Sequence, residues 1–141
     1  MNRRELMLAV LAAPGRPVSF EPVQVQKLFF LIDREIPNLV GGPHFGFRPY
    51  DYGPFDSAVY MELEDMSKVG LVQIVAGYYR SYLLTADGYE RGTAELGNVP
   101  EAAKNYILAA VQWVRGLSFS QLVSAIYKEY PDMKTASVFR E

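Results

Sequence analysis

A helical pattern that runs directly into a β-hairpin pattern constrains the fold of this chain more than any other feature. Apolar side chains recur every three or four positions over residues 54–69, which is the spacing of one helical face: Phe55, Val59, Leu63 and Met66. Gly70 follows as a helix-ending residue, and two β-rich runs, residues 71–75 and 78–84, then flank a glycine-containing turn. The chain is therefore expected to pack a helix against a two-stranded antiparallel sheet.

Further helical patterns lie on both sides of this unit. We predict them at residues 2–13, about 20–36, about 86–96, 99–117 and 119–130. The first helix is expected to be amphipathic, with Leu6, Met7 and Val10 on its buried side. Thr85 and Ser118 are placed to cap the helices that follow them.

Residues 37–54, between the second helix and the central one, contain four prolines and four glycines, which predicts a loop. Alternating aromatic residues predict a short strand within this loop, and Pro49 would confine that strand to the edge of a sheet.

The tripeptide Tyr52-Gly53-Pro54 closes the loop and is predicted to be a structural motif. Glycine adopts backbone angles that other residues avoid, and Pro54 suits the first position of a helix, where its missing N–H would have no partner. The tyrosines are expected to pack beneath this helix start. The alternative is that backbone N–H groups at the helix start bind an anion.

The length of 141 residues predicts one domain, 1–141, in which residues 1–97 supply helices and the hairpin and residues 98–132 supply a C-terminal helical pair. Half of the residues are hydrophobic, which is ample for a packed core. No apolar run approaches the ~20 residues that cross a bilayer, and the lack of cysteine is consistent with a reducing compartment. We therefore expect a cytoplasmic protein that does not bind membranes.

The chain lacks the residue patterns on which catalysis and cofactor binding depend. It has no cysteine and one histidine, His44, which excludes thiolate metal sites and histidine-rich metal sites. A Gly-x-Ser-x-Gly elbow, a phosphate-binding loop and a dinucleotide fingerprint are also missing. We interpret Glu62, Glu64 and Asp65 as a solvated helix face and His44 as a solvated loop residue. The sequence thus predicts no catalytic residue, no cofactor, no metal and no enzymatic activity.

The order of predicted elements is helix, helix, strand, helix, hairpin and three helices. A hairpin with one apolar face can cover the open flank of a three-helix cluster. This order predicts an α+β fold that is winged-helix-like and mainly helical, with a small antiparallel β-hairpin as the wing. Residues 82–89, Tyr-Leu-Leu-Thr-Ala-Asp-Gly-Tyr, resemble the exit from the wing in many winged-helix proteins.

A narrower resemblance rests on four segments that occur in a fixed order: Lys27 to Leu31, Tyr50 to Phe55, Val69 to Val72 and Tyr127 to Asp132. Together they resemble small bacterial and archaeal proteins with a Tyr-Gly-Pro motif, which are similar to the Panacea-type domain of antitoxins and of an adaptor that delivers a toxin to a protease. The resemblance covers nearly the whole chain. It implies an antitoxin-like or adaptor-like protein that binds a partner protein, and it supplies no catalytic residue.

The charge of the central helix bears on whether this chain binds DNA. Residues 54–69 carry four carboxylates and one lysine, a net charge of −3: Asp56, Glu62, Glu64, Asp65 and Lys68. Carboxylates repel phosphate, whose neutralisation usually dominates DNA affinity. The segment before this helix is also longer than the turn of a helix-turn-helix. A protein partner is therefore favoured, and a winged-helix DNA-binding transcriptional regulator is the alternative.

The β-hairpin contains the residues that we predict to contact the partner. Tyr78, Arg80 and Tyr82 would share one face of a regular strand, and tyrosine and arginine are enriched at protein-interface hot spots. The apolar stripe of residues 99–117 suits either a homodimer interface or the core of the monomer. The sequence thus predicts a non-catalytic protein-binding domain that acts through its hairpin.

Overall fold

The computed structural model describes residues 1–140 and has the predicted α+β class. Its helices are α1 (Arg3–Ala12), α2 (Pro22–Glu35), α3 (Ser57–Lys68), α4 (Ala86–Asn98), α5 (Glu101–Arg115) and α6 (Phe119–Glu129). Its strands are β1 (Arg48–Tyr50), β2 (Gly53–Phe55), β3 (Val72–Val75) and β4 (Ser81–Leu84). Short 3₁₀ helices lie at Pro37–Leu39 and Pro131–Lys134. Within these described residues, none of the helices combines the length and apolar character needed to span a bilayer.

Helix α1 lies in the centre of the molecule. Every residue from Leu6 to Ala12 is buried, because α4, α5 and β4 all contact this helix. Gly92 of α4 allows a close approach, since a Cβ there would lie 2.3 Å from the carbonyl oxygen of Leu8. The prediction of an amphipathic first helix was therefore wrong. From Leu6 to Ala12 its sequence is apolar on all sides, as is typical of a helix that neighbours surround.

The Tyr-Gly-Pro segment forms part of a hairpin and not the first turn of a helix. Strands β1 and β2 pair antiparallel, with Tyr50 opposite Gly53 and Pro49 opposite Pro54. Alternate pairs of an antiparallel ladder exchange no backbone hydrogen bonds, so two prolines can face each other there. The short strand with Pro49 on an edge is thus confirmed.

Helix α3 begins three residues later than the sequence pattern predicted. The Asp56 carboxylate accepts a hydrogen bond from the backbone N–H of Ala58 at 2.9 Å, and a second from Gly46 at 2.7 Å. Asp56 therefore caps the helix, and Pro54 lies outside it in β2. The predicted helix start at Pro54 was wrong because a strand and a side-chain cap compete with the proline there.

The second hairpin follows α3 as predicted. Strands β3 and β4 pair antiparallel, with Val72 opposite Leu84 and Val75 opposite Ser81. The second strand begins at Ser81 and not at Tyr78, so residues 76–80 form the connection.

The predicted helix boundaries around this hairpin are confirmed by their caps. Gly70 has a φ of +79° at the end of α3, a conformation that glycine adopts readily. The side chain of Thr85 caps α4, and Ser118 and Gln121 form a capping box at α6. The predicted order of a helix followed by a hairpin, α3–β3–β4, is present. Residues 36–56 separate α2 from α3.

Candidate functional site

An open cleft of about 780 Å³ lies between the N-terminal turn of α2, the β1–β2 hairpin and the connection from α5 to α6. Aromatic side chains form much of its wall: Tyr50, Tyr52, Phe55, Tyr60, Tyr79 and Phe119. Tyr50, Tyr52 and Phe119 remain partly exposed, and the rings of Tyr52 and Phe119 meet edge to face at 5.2 Å. A concave surface with exposed aromatic rings is typical of a binding site.

Lys27 of α2 lines this cleft although only 4% of its surface is exposed. Its Nζ donates a hydrogen bond to the carbonyl oxygen of Pro54 at 3.3 Å. Burial lowers the pKa of Lys27 from 10.5 to about 8, because the charged form loses hydration. Lys27 is therefore still mostly protonated at neutral pH, and it is a buried cation in the cleft.

Gln26 precedes Lys27 and fixes the hairpin to α2. Its amide nitrogen donates to the carbonyl oxygen of Asp56 at 2.9 Å, and the backbone N–H of Asp56 donates to its amide oxygen at 3.0 Å. Gln26 and Lys27 thus bind the main chain at both Pro54 and Asp56. These hydrogen bonds hold β2 as one wall of the cleft.

Gly53 occupies a position where a side chain would be strained. Its φ is +106°, and a Cβ there would lie 3.3 Å from Cε1 of Tyr127 and 3.6 Å from Cε of Lys27. The structural interpretation of Gly53 is consistent with this geometry, whereas Pro54 lies in β2 and does not start the helix. The expectation that the tyrosines pack beneath a helix start was wrong, because Tyr50 and Tyr52 project from the hairpin and remain exposed.

Tyr60 of α3 contributes a half-buried side chain to the cleft wall. The hydroxyl donates to the carbonyl oxygen of Pro22 at 3.4 Å, and burial raises its pKa to about 12. It therefore stays protonated and uncharged over the physiological range.

Charged side chains of both signs lie at the rim of the cleft. Arg115 stacks its guanidinium over the ring of Phe20 at 5.6 Å, and no ion pair of Arg115 occurs in the part of the chain that the structure describes. Glu21 and Asp51 are exposed carboxylates of the same rim. The rim therefore has one cation and two carboxylates, whereas the buried charge of the cleft is positive.

The three predicted contact residues of the hairpin do not form one surface. Tyr78 is 95% exposed and lies in the connection between the strands, whereas Tyr82 is 2% exposed. The backbone of Tyr82 exchanges two hydrogen bonds of 2.9 Å with Phe20, which turns its ring into the core. Tyr82 was therefore wrongly predicted as a contact residue, because alternation does not continue from the connection into β4.

Arg80, the third member, is exposed and forms an ion pair with Glu64 at 3.3 Å. Tyr78 packs edge to face against Tyr79, with ring centroids 4.9 Å apart. Tyr79 lines the cleft, so the connection between β3 and β4 reaches the candidate site through this neighbouring residue.

The carboxylates of α3 all have partners. Glu62 pairs with Arg4 at 2.7 Å, Glu64 pairs with Arg80, and Asp65 lies 3.9 Å from Lys68. Asp56 is used as the helix cap. The helix is therefore less negative towards its surroundings than its own sequence suggests.

His44 differs from its predicted environment. Its ring Nε2 lies 2.7 Å from the carbonyl oxygen of Val40, and its backbone N–H donates to the Asp33 carboxylate at 2.8 Å. Arg3 also donates to the His44 carbonyl oxygen. His44 is thus a half-buried connecting residue and not a solvated one. Over residues 1–140 no three histidine or carboxylate side chains are grouped so that they could hold a metal ion.

The signal that could have revealed the cleft is the pair Gln26-Lys27. Both residues interrupt an otherwise apolar stretch of α2 from Val25 to Ile32, and both are buried. Lys27 belongs to one segment of the Panacea-type resemblance, and no role of its own was predicted for it. A polar pair inside such a stretch requires partners, and here the partners come from a hairpin about 30 residues away.

Comparison with known proteins assigns no family to this chain. No family model matches it, and no curated protein sequence matches it significantly.

Proposed function

We propose that this chain is a non-catalytic protein-binding domain, antitoxin-like or adaptor-like, that takes a segment of its partner protein into the aromatic cleft. The observation that carries the proposal is the set of partly exposed rings around a concave apolar surface, Tyr50, Tyr52 and Phe119. Aromatic side chains supply large contact areas with few rotatable bonds, and they dominate the energetics of protein interfaces.

The Panacea-type resemblance supports this proposal through the position of its motifs. Three of the four segments meet at or beneath the cleft: Lys27 lines it, residues 50–55 form a wall, and Tyr127 lies against Gly53. The proposal includes a winged-helix-like fold, in which α3 leads into a wing formed by β3 and β4. A shared motif set that builds a single surface is what a shared binding function would require.

Quantitative affinity purification tests the proposal. The bait is the full chain in three forms: wild type, the double variant Tyr52→Ala/Phe119→Ala, and Leu108→Ala, a partly exposed residue of α5 outside the cleft. We expect the product of a neighbouring gene to be retained by wild type and Leu108→Ala. Retention by the double variant should fall about tenfold or more, the effect of losing one interface hot spot.

Melting curves of all three forms show whether the double variant is folded. If the folded double variant retains the same proteins in the same amounts as the wild type, the cleft is not the surface that binds the partner. Purification of the wild type without any specific partner would remove the protein-binding function itself.

A DNA-binding regulator is the second candidate, and one observation favours it. The carboxylates of α3 are paired with Arg4, Arg80 and Lys68, which weakens the repulsion that α3 would exert on phosphate. A mobility-shift assay at low and moderate salt tests this candidate. Phosphate contacts predict an affinity that falls steeply with salt, and the absence of a shift at any salt would eliminate it.

A further inference from the structure

Lys27 is a buried ammonium without a carboxylate partner. A lysine ammonium has three N–H donors, and among residues 1–140 the carbonyl oxygen of Pro54 is its one hydrogen-bond acceptor. None of the ion pairs of the described chain includes Lys27. Buried charges in proteins are ordinarily paired, because an unpaired charge loses its hydration without compensation.

The position of Lys27 connects this unpaired charge to the cleft. Lys27 and Gly53 line the cleft side by side, and even a Cβ added to Gly53 would come within 3.7 Å of Nζ. Gly53, Tyr127 and Lys27 are thus packed closely together, and a side chain at Gly53 would crowd the ammonium. Because Lys27 lines the cleft, a group that enters the cleft can approach its side chain.

We propose that the partner segment bound in this cleft carries an aspartate or glutamate whose carboxylate pairs with Lys27, with apolar side chains on either side that pack against Tyr52 and Phe119. This inference rests on the proposed function and specifies the chemistry of the partner. The carboxylate would occupy the donors of Lys27 that Pro54 leaves unused.

The other charged side chains of the cleft are of both signs. Arg115 adds a second cation without a carboxylate partner, and α2 and α6 both begin at the cleft, where the positive ends of their dipoles lie. Glu21 and Asp51 oppose an acidic ligand. Both are exposed at the rim, where water and salt screen them, whereas the charge on Lys27 is buried and less screened.

A polypeptide suits this cleft better than a small anion does. An inorganic anion would pair with Lys27 and leave the rings of Tyr50, Tyr52 and Phe119 in water. An extended chain places successive side chains about 3.3 Å apart, so residues next to the acidic one reach both walls. The same segment can thus satisfy the buried charge and the aromatic walls.

Two matched sets of octapeptides test the inference. Members of the first set contain one central Asp or Glu between apolar residues, and members of the second contain Asn or Gln instead. All are acetylated and amidated, so that the two sets differ only in the carboxylate. Binding to the full chain is measured by fluorescence anisotropy for wild type, Lys27→Met, Tyr52→Ala and Lys128→Met, an exposed lysine of α6 outside the cleft.

We expect the best acidic peptides to bind the wild type and Lys128→Met about tenfold more tightly than their amide counterparts. Lys27→Met should abolish this difference. Tyr52→Ala should weaken both sets and preserve their ratio, because it removes apolar contact and leaves the charge pair.

Equal binding of the two sets, a preference that survives Lys27→Met, or no binding by either set would overturn the inference. The proposed function would then still be decided separately by the retention of a partner protein in the purification experiment. Benzoate is the probe for a small anion. If it binds the wild type as tightly as the best acidic peptide, the polypeptide assignment is overturned.

A measurement on the wild type covers the case in which Lys27→Met does not fold. The ¹³C resonance of the Lys27 ε-methylene is followed against pH, with the other lysines as internal references. An acidic peptide should raise the titration midpoint of Lys27, because its carboxylate favours the charged form, and an amide peptide should not. An unchanged midpoint with a saturating acidic peptide would overturn the charge pair.

Discussion

The contact between α1 and α4 and the contact between α2 and the β1–β2 hairpin are formed by different chemistry. In the first, Gly92 lets the two helices approach until only apolar groups and backbone remain between them. In the second, Gln26 and Lys27 bind the main chain of the hairpin through hydrogen bonds, and an open cleft remains beside them. The fully closed contact serves the fold, and the hydrogen-bonded contact leaves a surface that a ligand can reach.

The largest effect on stability is expected from Gly92→Ala, which would disrupt the close contact between α1 and α4. The added Cβ would lie 2.3 Å from the Leu8 carbonyl oxygen and 2.8 Å from Cβ of Ala12, so the helices must move apart. We expect the free energy of unfolding to fall by about 3 kcal/mol or more, as for severe overpacking of a core. Urea denaturation measures it.

Gly97→Ala is the matched control in the same helix, because nothing lies within 4 Å of an added Cβ there. Helix propensity alone should make this variant more stable by up to about 1 kcal/mol. Equal effects of the two substitutions would contradict the close packing of α1 on α4.

The next effect concerns the pH dependence of stability that Lys27 causes at the contact between α2 and the β1–β2 hairpin. Burial lowers the pKa of Lys27 from 10.5 to about 8, so in this range the unfolded chain binds more protons than the folded one. Stability should therefore rise with pH across the range. From about pH 8 to about pH 10 the contribution of Lys27 amounts to about 2 kcal/mol.

Comparison of wild type with Lys27→Met isolates this contribution. The tyrosines act in the opposite direction above about pH 10, because burial raises the pKa of Tyr60 and Tyr106 to about 12 and folding disfavours their ionisation. Their effect is common to both proteins and cancels in the difference. Parallel stability curves for the two proteins would mean that Lys27 is not desolvated in the folded state.

A smaller effect is expected from Asp56→Ala at the junction of the hairpin and α3. The substitution removes the hydrogen bonds that the Asp56 carboxylate accepts from Ala58 and Gly46. We expect a loss of about 1 kcal/mol in the free energy of unfolding, the usual cost of deleting a helix cap. Thermal denaturation is sufficient to measure it.

Ser57→Ala, one residue further, is the control and should change stability by less than about 0.5 kcal/mol. If the helix began at Pro54, Asp56 would lie in its first turn and the two variants would behave alike. That result would restore the helix start that the sequence pattern predicts.

The smallest effect is expected from Tyr78→Ala, because Tyr78 belongs to neither contact. It is 95% exposed in the connection between β3 and β4, so its loss should change stability by less than about 0.5 kcal/mol. Tyr82→Ala, in the core, should cost about 3 kcal/mol. Similar losses of unfolding free energy for both variants in a denaturant titration would contradict the different burial of the two tyrosines and would favour the shared face that the sequence predicts.

Much of the local structure could be predicted from the sequence, because the signals act over a few residues. The apolar spacing of α3, the glycine at its end and the hairpin that follows are all present. Thr85 and Ser118 cap the helices that they were predicted to cap. A cap or a helical face depends on neighbours within one or two turns, which a sequence displays directly.

The candidate site could not be predicted in the same way. Lys27, Tyr52 and Phe119 come from three distant segments, and they form one cleft only after α2, the β1–β2 hairpin and α6 have packed together. Residue type instead favoured Tyr78, Arg80 and Tyr82 as contact residues. Residue type indicates what a side chain can bind, whereas burial decides whether it is available.

The sequence by itself determined the apolar face and the end of α3 and the hairpin that follows, because periodicity and caps are local properties of the chain. Only the tertiary structure decided that α1 is surrounded on all sides, that Tyr82 is a core residue and that Lys27 is a buried cation beside an open cleft. These properties depend on which distant segments exclude water from a side chain, and such contacts leave no periodic pattern in the sequence.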